Sequence, residues 1–275
     1  MFKTIHFKYQ NNMNAKGGYN MEYGLIGEKL SHSFSKEIHE QLADYTYDLH
    51  PIEKECVEEF MKKHEWKAIN VTIPYKQTVM PYLDYIDDQA KAIGAVNTVV
   101  NKDGKLYGHN TDFWGFLYMC KKHNIQMEGK KVLVIGNGGA SKAICAVVNH
   151  LKAKCTVIVD IVPADGVITY EECLKNHTDA EIIINTSPVG MYPKCDASPI
   201  DLAPFCKCSA VLDVIYNPLT TKLVEDAKNR GMIGVNGLEM LVAQAKYAVE
   251  FFLDKKIDDD VIDPIYKDIF NKMNK

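Results

Sequence analysis

The sequence lacks the features of membrane, secreted and nucleic-acid-binding proteins. No apolar run comes near the roughly 18 to 20 residues that a membrane-spanning helix needs. Residues 1–20 are polar and contain no apolar segment of a secretory signal. A formal net charge of -4 gives the chain no positive field that would attract nucleic acid. We therefore expect a cytoplasmic protein with neither a membrane nor a nucleic-acid partner.

Metal-binding cysteine spacing is absent as well. The eight cysteines are scattered, and the tightest pair, Cys206 and Cys208, lacks the C-x-x-C spacing of a metal site. We interpret them as reduced thiols of an intracellular protein, most of which fill the core. No metal site is predicted.

The rest of the composition is that of a globular protein. The 275 residues suffice for two domains with their own cores, and 47% are hydrophobic and 25% charged. Residues 1–20 are rich in Asn and predict a flexible tail or linker, with order beginning near Tyr23. From there apolar strand-like runs alternate with helical patterns. This alternation predicts an α/β fold with mostly parallel sheets covered by helices.

Local signals refine this expectation. Asp103-Gly104 between two apolar runs predicts a β-hairpin. A helix is expected from about Thr111, with Thr111 or Asp112 as its N-cap. A second unit begins at Lys130, and its first strand, from Lys131, is almost continuously apolar, as in a sheet buried on both faces.

A glycine-rich loop follows that strand and precedes an Ala/Val-rich helix. Gly136, Gly138 and Gly139 would let backbone N–H groups approach a pyrophosphate at the helix N-terminus. Ser141 replaces the third glycine of the usual pattern, and a tight strand-to-helix turn is the alternative interpretation. Asp160 ends the next strand, where an acidic residue can accept a hydrogen bond from a ribose hydroxyl. The combination favours a dinucleotide site.

Polar residues also follow the strands of the N-terminal half. Ser33 and Ser35 come after the first strand, where their hydroxyls could bind a carboxylate or could cap the following helix. Asn70, Thr72 and Lys76 end a buried strand and are expected at one edge of the sheet. Taken singly, each has an ordinary alternative as a turn, a cap or a solvated side chain.

Seven motifs follow one another over about residues 21–260: H-S-F-S, N-V-T-I-P-Y-K, G-A-V-N-T, G-H-N-T-D-F-W-G, G-N-G-G-A-S, D-V-I-Y-N-P and G-L-E-M-L-V-A-Q. In this order they resemble the motifs of the shikimate/quinate dehydrogenase family. The resemblance implies a dehydrogenase that interconverts 3-dehydroshikimate and shikimate with NAD(P), in the shikimate pathway of aromatic amino acid biosynthesis. Lys36 is a departure, because the family usually has Pro there, and we expect a looser loop that keeps both serine hydroxyls.

The resemblance implies two α/β domains and a role for individual residues. Residues 21–112 with 238–275 would form the shikimate-binding catalytic domain, and residues 113–237 a Rossmann-like NAD(P)-binding domain, with the C-terminal helices packing back on the first. The residues implied to bind the substrate carboxylate are Ser33, Ser35 and Tyr216, and those implied to bind its ring hydroxyls are Asn70, Thr72, Asn97 and Gln244. The implied catalytic pair is Lys76 and Asp112. The residues implied to hold the cofactor phosphates are Gly136, Gly138, Gly139, Ala140 and Ser141, with Gly237 and Met240 on the nicotinamide side.

Several alternatives stay open at this point. Which of Lys76 and Asp112 takes the proton is not decided, so the two are treated as one coupled unit. A quinate-preferring enzyme with NAD preference, a non-catalytic ligand-binding paralogue, and one half of a larger polypeptide with residues 1–20 as linker remain possible. The presence of both Lys76 and Asp112 disfavours the paralogue. A monomer or a homodimer is expected.

The cofactor end of the sequence departs from the family. Relatives that use NADP usually follow the second Rossmann strand with N-R-T and a further basic residue, whereas here Asp160 and Asp165 stand in a stretch without Arg or Lys until Lys175. Carboxylates would repel a 2′-phosphate. Only seven residues separate Val159 from Val167, so a Pro/Gly turn is expected in place of the usual helix. The resemblance favours NADP(H), whereas Asp160 favours NAD(H). The missing helix would thin the adenosine pocket, so we expect weak dinucleotide binding.

Overall fold

The computed structural model describes residues 21–31 and 33–274, so the predicted tail at 1–20 lies outside the described residues. Within them the strands are β1 (Tyr23–Gly27), β2 (Tyr47–Pro51), β3 (Ala68–Val71), β4 (Tyr85–Ile86), β5 (Thr98–Lys102), β6 (Lys105–His109), β7 (Lys131–Ile135), β8 (Cys155–Val159), β9 (Val167–Ile168), β10 (Ile182–Asn185), β11 (Ala210–Asp213) and β12 (Ile233–Val235). The α-helices are α1 (Ser35–Leu42), α2 (Val57–Lys63), α3 (Asp88–Ile93), α4 (Thr111–Lys122), α5 (Gly139–His150), α6 (Tyr170–Asn176), α7 (Lys222–Asn229), α8 (Leu238–Leu253) and α9 (Ile262–Met273).

The first sheet is mixed, with strand order β2-β1-β3-β5-β6-β4. Strand β1 pairs in parallel with β2 and β3, whereas β5 runs antiparallel to both β3 and β6. The predicted hairpin is confirmed, because Asp103 and Gly104 turn the chain with positive φ angles of 53° and 82°. Strand β4 also pairs in parallel with β6, so most pairings are parallel as predicted, and only β5 is antiparallel, because a two-residue turn joins antiparallel strands.

The second sheet is parallel throughout, in the order β12-β11-β10-β7-β8-β9. Every residue of β10 and β11 is buried, as expected for a sheet covered on both faces. No helix lies between β8 and β9, which confirms the predicted turn. The short link is possible because the N–H of Val167 bonds to the carbonyl of Ala164, so the chain reverses at the sheet edge rather than crossing a face.

The N-cap of α4 differs from the prediction. Neither Thr111 nor Asp112 caps the helix; the side chain of Asn110 accepts the N–H of Asp112 at 3.1 Å. The same amide donates to the carbonyl of Ala95 at 2.9 Å. Asn110 is preferred as the cap because it satisfies an otherwise unpaired helix N–H and ties the helix to the preceding segment.

Helices α4 and α8 cross closely at Gly115. A Cβ atom there would lie 2.7 Å from the carbonyl oxygen of Met240 and 2.8 Å from Cβ of Gln244, so the crossing requires glycine. Phe116 of α4 packs into the core of the second sheet, while Ala248 of α8 packs against β1, β2 and β3 of the first. The two helices thus join the halves of the molecule. None of the helices in the described residues is long and apolar enough to cross a membrane.

Candidate active site

A buried ion pair lies where the two sheets approach each other. Lys76 Nζ donates to Asp112 Oδ2 at 2.5 Å, and their side chains are only 12% and 9% exposed. The carbonyl of Lys76 accepts the N–H of Val96 at 2.8 Å, and Asp112 is fixed in the first turn of α4. A Cβ atom at Gly139 would lie 3.5 Å from Cδ of Lys76, which places the pair directly against the glycine loop.

Beside this pair is a set of bonded polar side chains that we call the polar wall: Asn70, Asn97, Thr98, Thr111 and Gln244. Asn70 Nδ2 donates to the carbonyl of Asn97 and to the hydroxyl of Thr98, both at 3.1 Å. Asn97 Oδ1 accepts the N–H of Thr111 at 2.7 Å and the hydroxyl of Thr98 at 2.9 Å. The hydroxyl of Thr111 lies 3.5 Å from Gln244 Oε1.

The polar wall keeps unused hydrogen-bonding capacity. Among the described residues, Asn97 Nδ2 has no acceptor, so both of its hydrogens can go to a ligand. Both hydrogens of Asn70 Nδ2 are used, which leaves Oδ1 as the atom that can accept from a ligand. Thr72 lies two residues beyond Asn70; it is half-buried, and its N–H bonds to the carbonyl of Ile26 at 2.9 Å.

The serine pair stands at the start of α1. Ser33 Oγ donates to Ser35 Oγ at 3.0 Å and accepts the N–H of Ser35 at 3.2 Å, whereas the N-cap of α1 is Phe34, without a side-chain cap, so neither serine is the predicted alternative cap. Phe34 between them contacts the ring of Tyr216 edge-on, with centroids 6.5 Å apart. Burial raises the pKa of Tyr216. The structure therefore brings Tyr216 next to the serine pair.

Lys36, which departs from the family pattern, contacts both its own helix and the sheet. Lys36 Nζ donates to the carbonyl of Tyr47 at 2.8 Å and pairs with Glu40 at 3.0 Å. An exposed amine at the second position of α1 can reach the edge of β2, which a proline ring cannot do. Lys36 thus ties α1 to the sheet.

The glycine loop has the geometry that its spacing predicts. Gly136 has a φ of +101°, and a Cβ atom there would lie 2.8 Å from Thr186 Oγ1, so both its conformation and its neighbour require glycine. Gly138 is the N-cap of α5, without a side-chain cap, and a Cβ atom there would meet nothing within 4 Å. Ala140 is half-buried, and Ser141 is buried with Oγ 3.9 Å from Cys145 Sγ. The N-terminus of α5 thus has no side-chain cap, and there is space beside Gly138.

Asp160 lies against the same loop. Its Oδ2 accepts the N–H of Asn137 at 2.7 Å, and its Oδ1 accepts the N–H of Val162 at 3.0 Å. The carboxylate is thus fixed at the carboxyl end of β8, beside the first turn of the loop.

Gly237 and Met240 begin α8. A Cβ atom at Gly237 would lie 2.1 Å from the carbonyl oxygen of Val214, and its N–H bonds to the carbonyl of Ile215 at 2.9 Å. Met240 is 7% exposed and belongs to the core of the second sheet. These contacts fix the entry of α8, and Met240 is largely withdrawn from solvent.

Asp213 of β11 has a buried carboxylate that bonds to the chain segment leading to Tyr216. Its carboxylate accepts hydrogen bonds from Thr221 Oγ1 at 2.7 Å, Asn185 Nδ2 at 3.0 Å and the N–H of Ile215 at 3.0 Å. Burial raises the pKa of Asp213 from 3.8 to about 6, against the opposing effect of these donors. Tyr216 follows Ile215 directly, so the network fixes the segment that carries it.

Asp213 gives a prediction for stability against pH. Because its pKa is raised in the folded state, its contribution is complete below pH 3.8 and is lost as the pH rises through about 6. Asp213→Asn does not titrate. Urea unfolding at about pH 4 and about pH 7 is expected to show that wild type loses about 2 kcal/mol of unfolding free energy relative to Asp213→Asn as the pH rises. A difference that is independent of pH would contradict this assignment.

The sequence reasoning named Asn70 and Asn97 but missed the hydroxyls that join them. Thr98 and Thr111 are both fully buried and bonded into the polar wall. Both lie inside the quoted motifs G-A-V-N-T and G-H-N-T-D-F-W-G, which was the available signal. Among the described residues no group of His, Cys, Asp and Glu side chains is arranged to hold a metal ion.

The N-terminal part of the chain matches a known domain family. Residues 25–99 match the model of the shikimate dehydrogenase substrate binding domain. The shikimate dehydrogenase (NADP(+)) of Clostridium beijerinckii is 39% identical over 261 residues, which cover 89% of this chain and 96% of that protein.

Solved structures match over the same length. A chorismate mutase/shikimate 5-dehydrogenase fusion protein from Clostridium acetobutylicum has a TM-score of 0.86 at 37% identity, covering 92% of this chain and 98% of that one. A shikimate 5-dehydrogenase from Listeria monocytogenes in complex with shikimate and NAD has a TM-score of 0.76 at 28% identity, covering 92% and 98%. The fold is that of a substrate domain followed by a Rossmann-like domain, and the chain belongs to the shikimate dehydrogenase family.

Proposed function

We propose that this chain interconverts shikimate and 3-dehydroshikimate with a nicotinamide dinucleotide. The observation that carries the proposal is the Lys76–Asp112 pair, held between the polar wall and the glycine loop. A ring hydroxyl bound at the wall would lie beside a proton-transferring pair and next to the dinucleotide. The presence and pairing of both side chains argue against a non-catalytic paralogue.

The polar wall suits a ring with several hydroxyls. Asn97 Nδ2 donates to one hydroxyl oxygen, Asn70 Oδ1 accepts from another, and Thr72 and Gln244 complete the set. A site that pairs buried polar groups with each hydroxyl disfavours analogues that lack one, because its own groups would stay unpaired. Lys76 and Asp112 share the proton that the reacting hydroxyl loses, and return it in the opposite direction.

The substrate carboxylate is assigned to Ser33, Ser35 and Tyr216. We expect Ser35→Ala to raise the KM for shikimate by about tenfold with little change in Tm, because a hydrogen bond to a charged group contributes ~1.5 to 3 kcal/mol. Ser33→Ala is expected to raise KM and also to lower Tm, since Ser33 accepts the N–H of Ser35. Steady-state kinetics and thermal melts on both variants check this. A lower Tm with an unchanged shikimate KM in both variants would mean that the two serines only support the start of α1 and do not bind substrate.

The dinucleotide is assigned to the second sheet. The uncapped end of α5 and the open space at Gly138 fit a pyrophosphate, whose charge is favoured by the helix dipole. Gly136, Gly139, Ala140 and Ser141 complete that loop, and Gly237 with Met240 is assigned to the nicotinamide side. The bound dinucleotide supplies the hydride acceptor or donor.

We further propose that this chain prefers NAD over NADP and binds dinucleotides weakly. Asp160 is held by two backbone N–H groups where a ribose 2′-hydroxyl could donate to it and a 2′-phosphate would be repelled. The chain has a single arginine, Arg230, and it pairs with Asp226 on α7. Residues 160–166 also contain no Lys that could bind a 2′-phosphate. The Clostridium relative bears NADP(+) in its name, and the Listeria complex holds NAD.

Calorimetric titration tests this preference. Wild type is expected to bind NADP about tenfold more weakly than NAD, and Asp160→Asn is expected to narrow that ratio by about tenfold, a change of ~1.4 kcal/mol. Asp165→Asn removes the same charge from an exposed position in the same loop, and it should narrow the ratio much less, because only Asp160 is bonded to the glycine loop. Tighter binding of NADP than of NAD by wild type would overturn the proposal.

The division into domains is proposed to follow the sequence boundaries, with residues 21–112 and 238–275 binding substrate and residues 113–237 binding the dinucleotide. Initial rates with shikimate and quinate, each with NAD and NADP, test the substrate. Faster turnover of shikimate is expected. A higher kcat/KM for quinate than for shikimate would show that quinate is the preferred substrate.

A further inference from the structure

Tyr47 is a buried side chain that joins two parts of the proposed site. It is fully buried, and its hydroxyl donates to Asn70 Oδ1 at 2.7 Å. Tyr47 lies on β2 at the edge of the first sheet, whereas Asn70 lies on β3, two strands away. The phenol ring therefore spans β1 to reach the polar wall.

The backbone of Tyr47 is held by α1. Its N–H donates to Glu40 Oε1 at 3.0 Å, and its carbonyl accepts Lys36 Nζ at 2.8 Å. The hydrogen bond from the Tyr47 N–H lowers the pKa of Glu40, so the carboxylate is the favoured state. These two groups lie on the outer edge of β2, where sheet partners are absent among the described residues. Helix α1, which begins at Ser35, thus fixes Tyr47 at both polar backbone atoms.

The ring of Tyr47 is also fixed by stacking. The imidazole of His39 lies parallel to it, with centroids 3.9 Å apart and an angle of 17° between planes. His39 Nδ1 lies 2.8 Å from the hydroxyl of Tyr45. Burial lowers the pKa of His39 to about 3, so the stacked imidazole is neutral at physiological pH. The ring therefore has one position, and its hydroxyl can reach one acceptor.

We propose that Tyr47 is a positioning residue for substrate: it sets the place of Asn70 Oδ1 relative to the serine pair at the start of α1. Asn70 meets the ligand through this oxygen alone, because both hydrogens of its amide are already used. One lone pair of Oδ1 takes the Tyr47 hydroxyl, and the other is left for a ring hydroxyl. The inference rests on the proposed function, since it concerns how that substrate is held.

The test is Tyr47→Phe against Tyr75→Phe. Tyr75 is a matched control, because it is 1% exposed and its hydroxyl also donates at 2.7 Å, but to the carbonyl of Ile52. Both variants should lose a similar amount of Tm. Only Tyr47→Phe is expected to raise the KM and Kd for shikimate, by roughly three- to tenfold, with kcat and dinucleotide Kd changed less than about twofold.

A double-mutant cycle with Asn70→Ala locates the effect. If Tyr47 acts through Asn70, the Phe substitution adds no further rise in shikimate Kd once Asn70 is removed. An unchanged KM in Tyr47→Phe, with a Tm loss like that of Tyr75→Phe, would make the hydroxyl merely structural and overturn the inference. So would an equal rise in Kd with and without Asn70. Inactivity of wild type would be a different result, because it would refute the proposed function and not the role of Tyr47.

Discussion

Lys76→Ala is expected to lower kcat by about a hundred- to ten-thousandfold, the usual range for loss of general acid–base catalysis. The shikimate KM should change much less, because the polar wall and the serine pair remain. The expectation follows from the 2.5 Å contact of Lys76 with Asp112 and from its position against Gly139. Steady-state kinetics with saturating dinucleotide measure it.

Lys131→Ala is the matched control for this variant. Lys131 is similarly enclosed, with an 18% exposed side chain, and it also contacts a carboxylate, Asp179, at 2.5 Å. It starts β7 and lies outside the proposed site. Loss of activity in Lys76→Ala alone would separate catalysis from the general cost of removing a buried lysine. Turnover by Lys76→Ala within about threefold of wild type would remove Lys76 from the mechanism.

Asp112→Asn is expected to lower kcat by about a hundredfold or more, since the amide keeps the shape of the carboxylate but cannot take up the proton. The double variant with Lys76→Ala should be about as slow as the slower single variant, because residues that act as a unit are not additive. If the loss of kcat in the double variant equals the product of the losses in the two single variants, Lys76 and Asp112 have independent roles.

Asp87→Asn is the control for this change. Asp87 also supports a helix start, accepting the N–H of Ala90 at 2.7 Å, and it contacts His109 at 2.6 Å rather than Lys76. Its pKa is lowered in spite of partial burial, because His109 and backbone N–H groups donate to it. Asp87→Asn should therefore cost stability and leave kcat near that of wild type.

The sequence allowed the main parts of the site to be named, because the reactive residues lie in short motifs at the ends of strands. Lys76 and Asp112 could be proposed as a pair only through the resemblance, since nothing local relates two residues 36 positions apart. Their contact depends on how β3, the hairpin and α4 are arranged in space. The same holds for Tyr47, whose partner Asn70 is 23 positions away.

The other differences between the predictions and the structure each follow from one turn or one side-chain contact. The mixed first sheet follows from the Asp103-Gly104 turn, which was recognised without drawing its consequence for strand direction. Thr111 and Asp112 both suited the N-cap position by sequence. Asn110 takes that position instead, because its side chain is also held by the carbonyl of Ala95. Lys36 was interpreted as a loss relative to proline, whereas its amine gains Tyr47 as a partner. The turn is a local feature, whereas the contacts of Asn110 and Lys36 are made with residues of neighbouring elements.

The most direct measurement is the product of wild type with shikimate as the sole oxidisable substrate. Folded protein is mixed with shikimate and NAD or NADP, and reduced dinucleotide is followed together with shikimate loss. The account predicts that one 3-dehydroshikimate forms for each dinucleotide reduced, and that Lys76→Ala nearly abolishes both. Binding of shikimate by calorimetry without reduction of either dinucleotide would contradict it, because the chain would then hold the ligand without oxidising it.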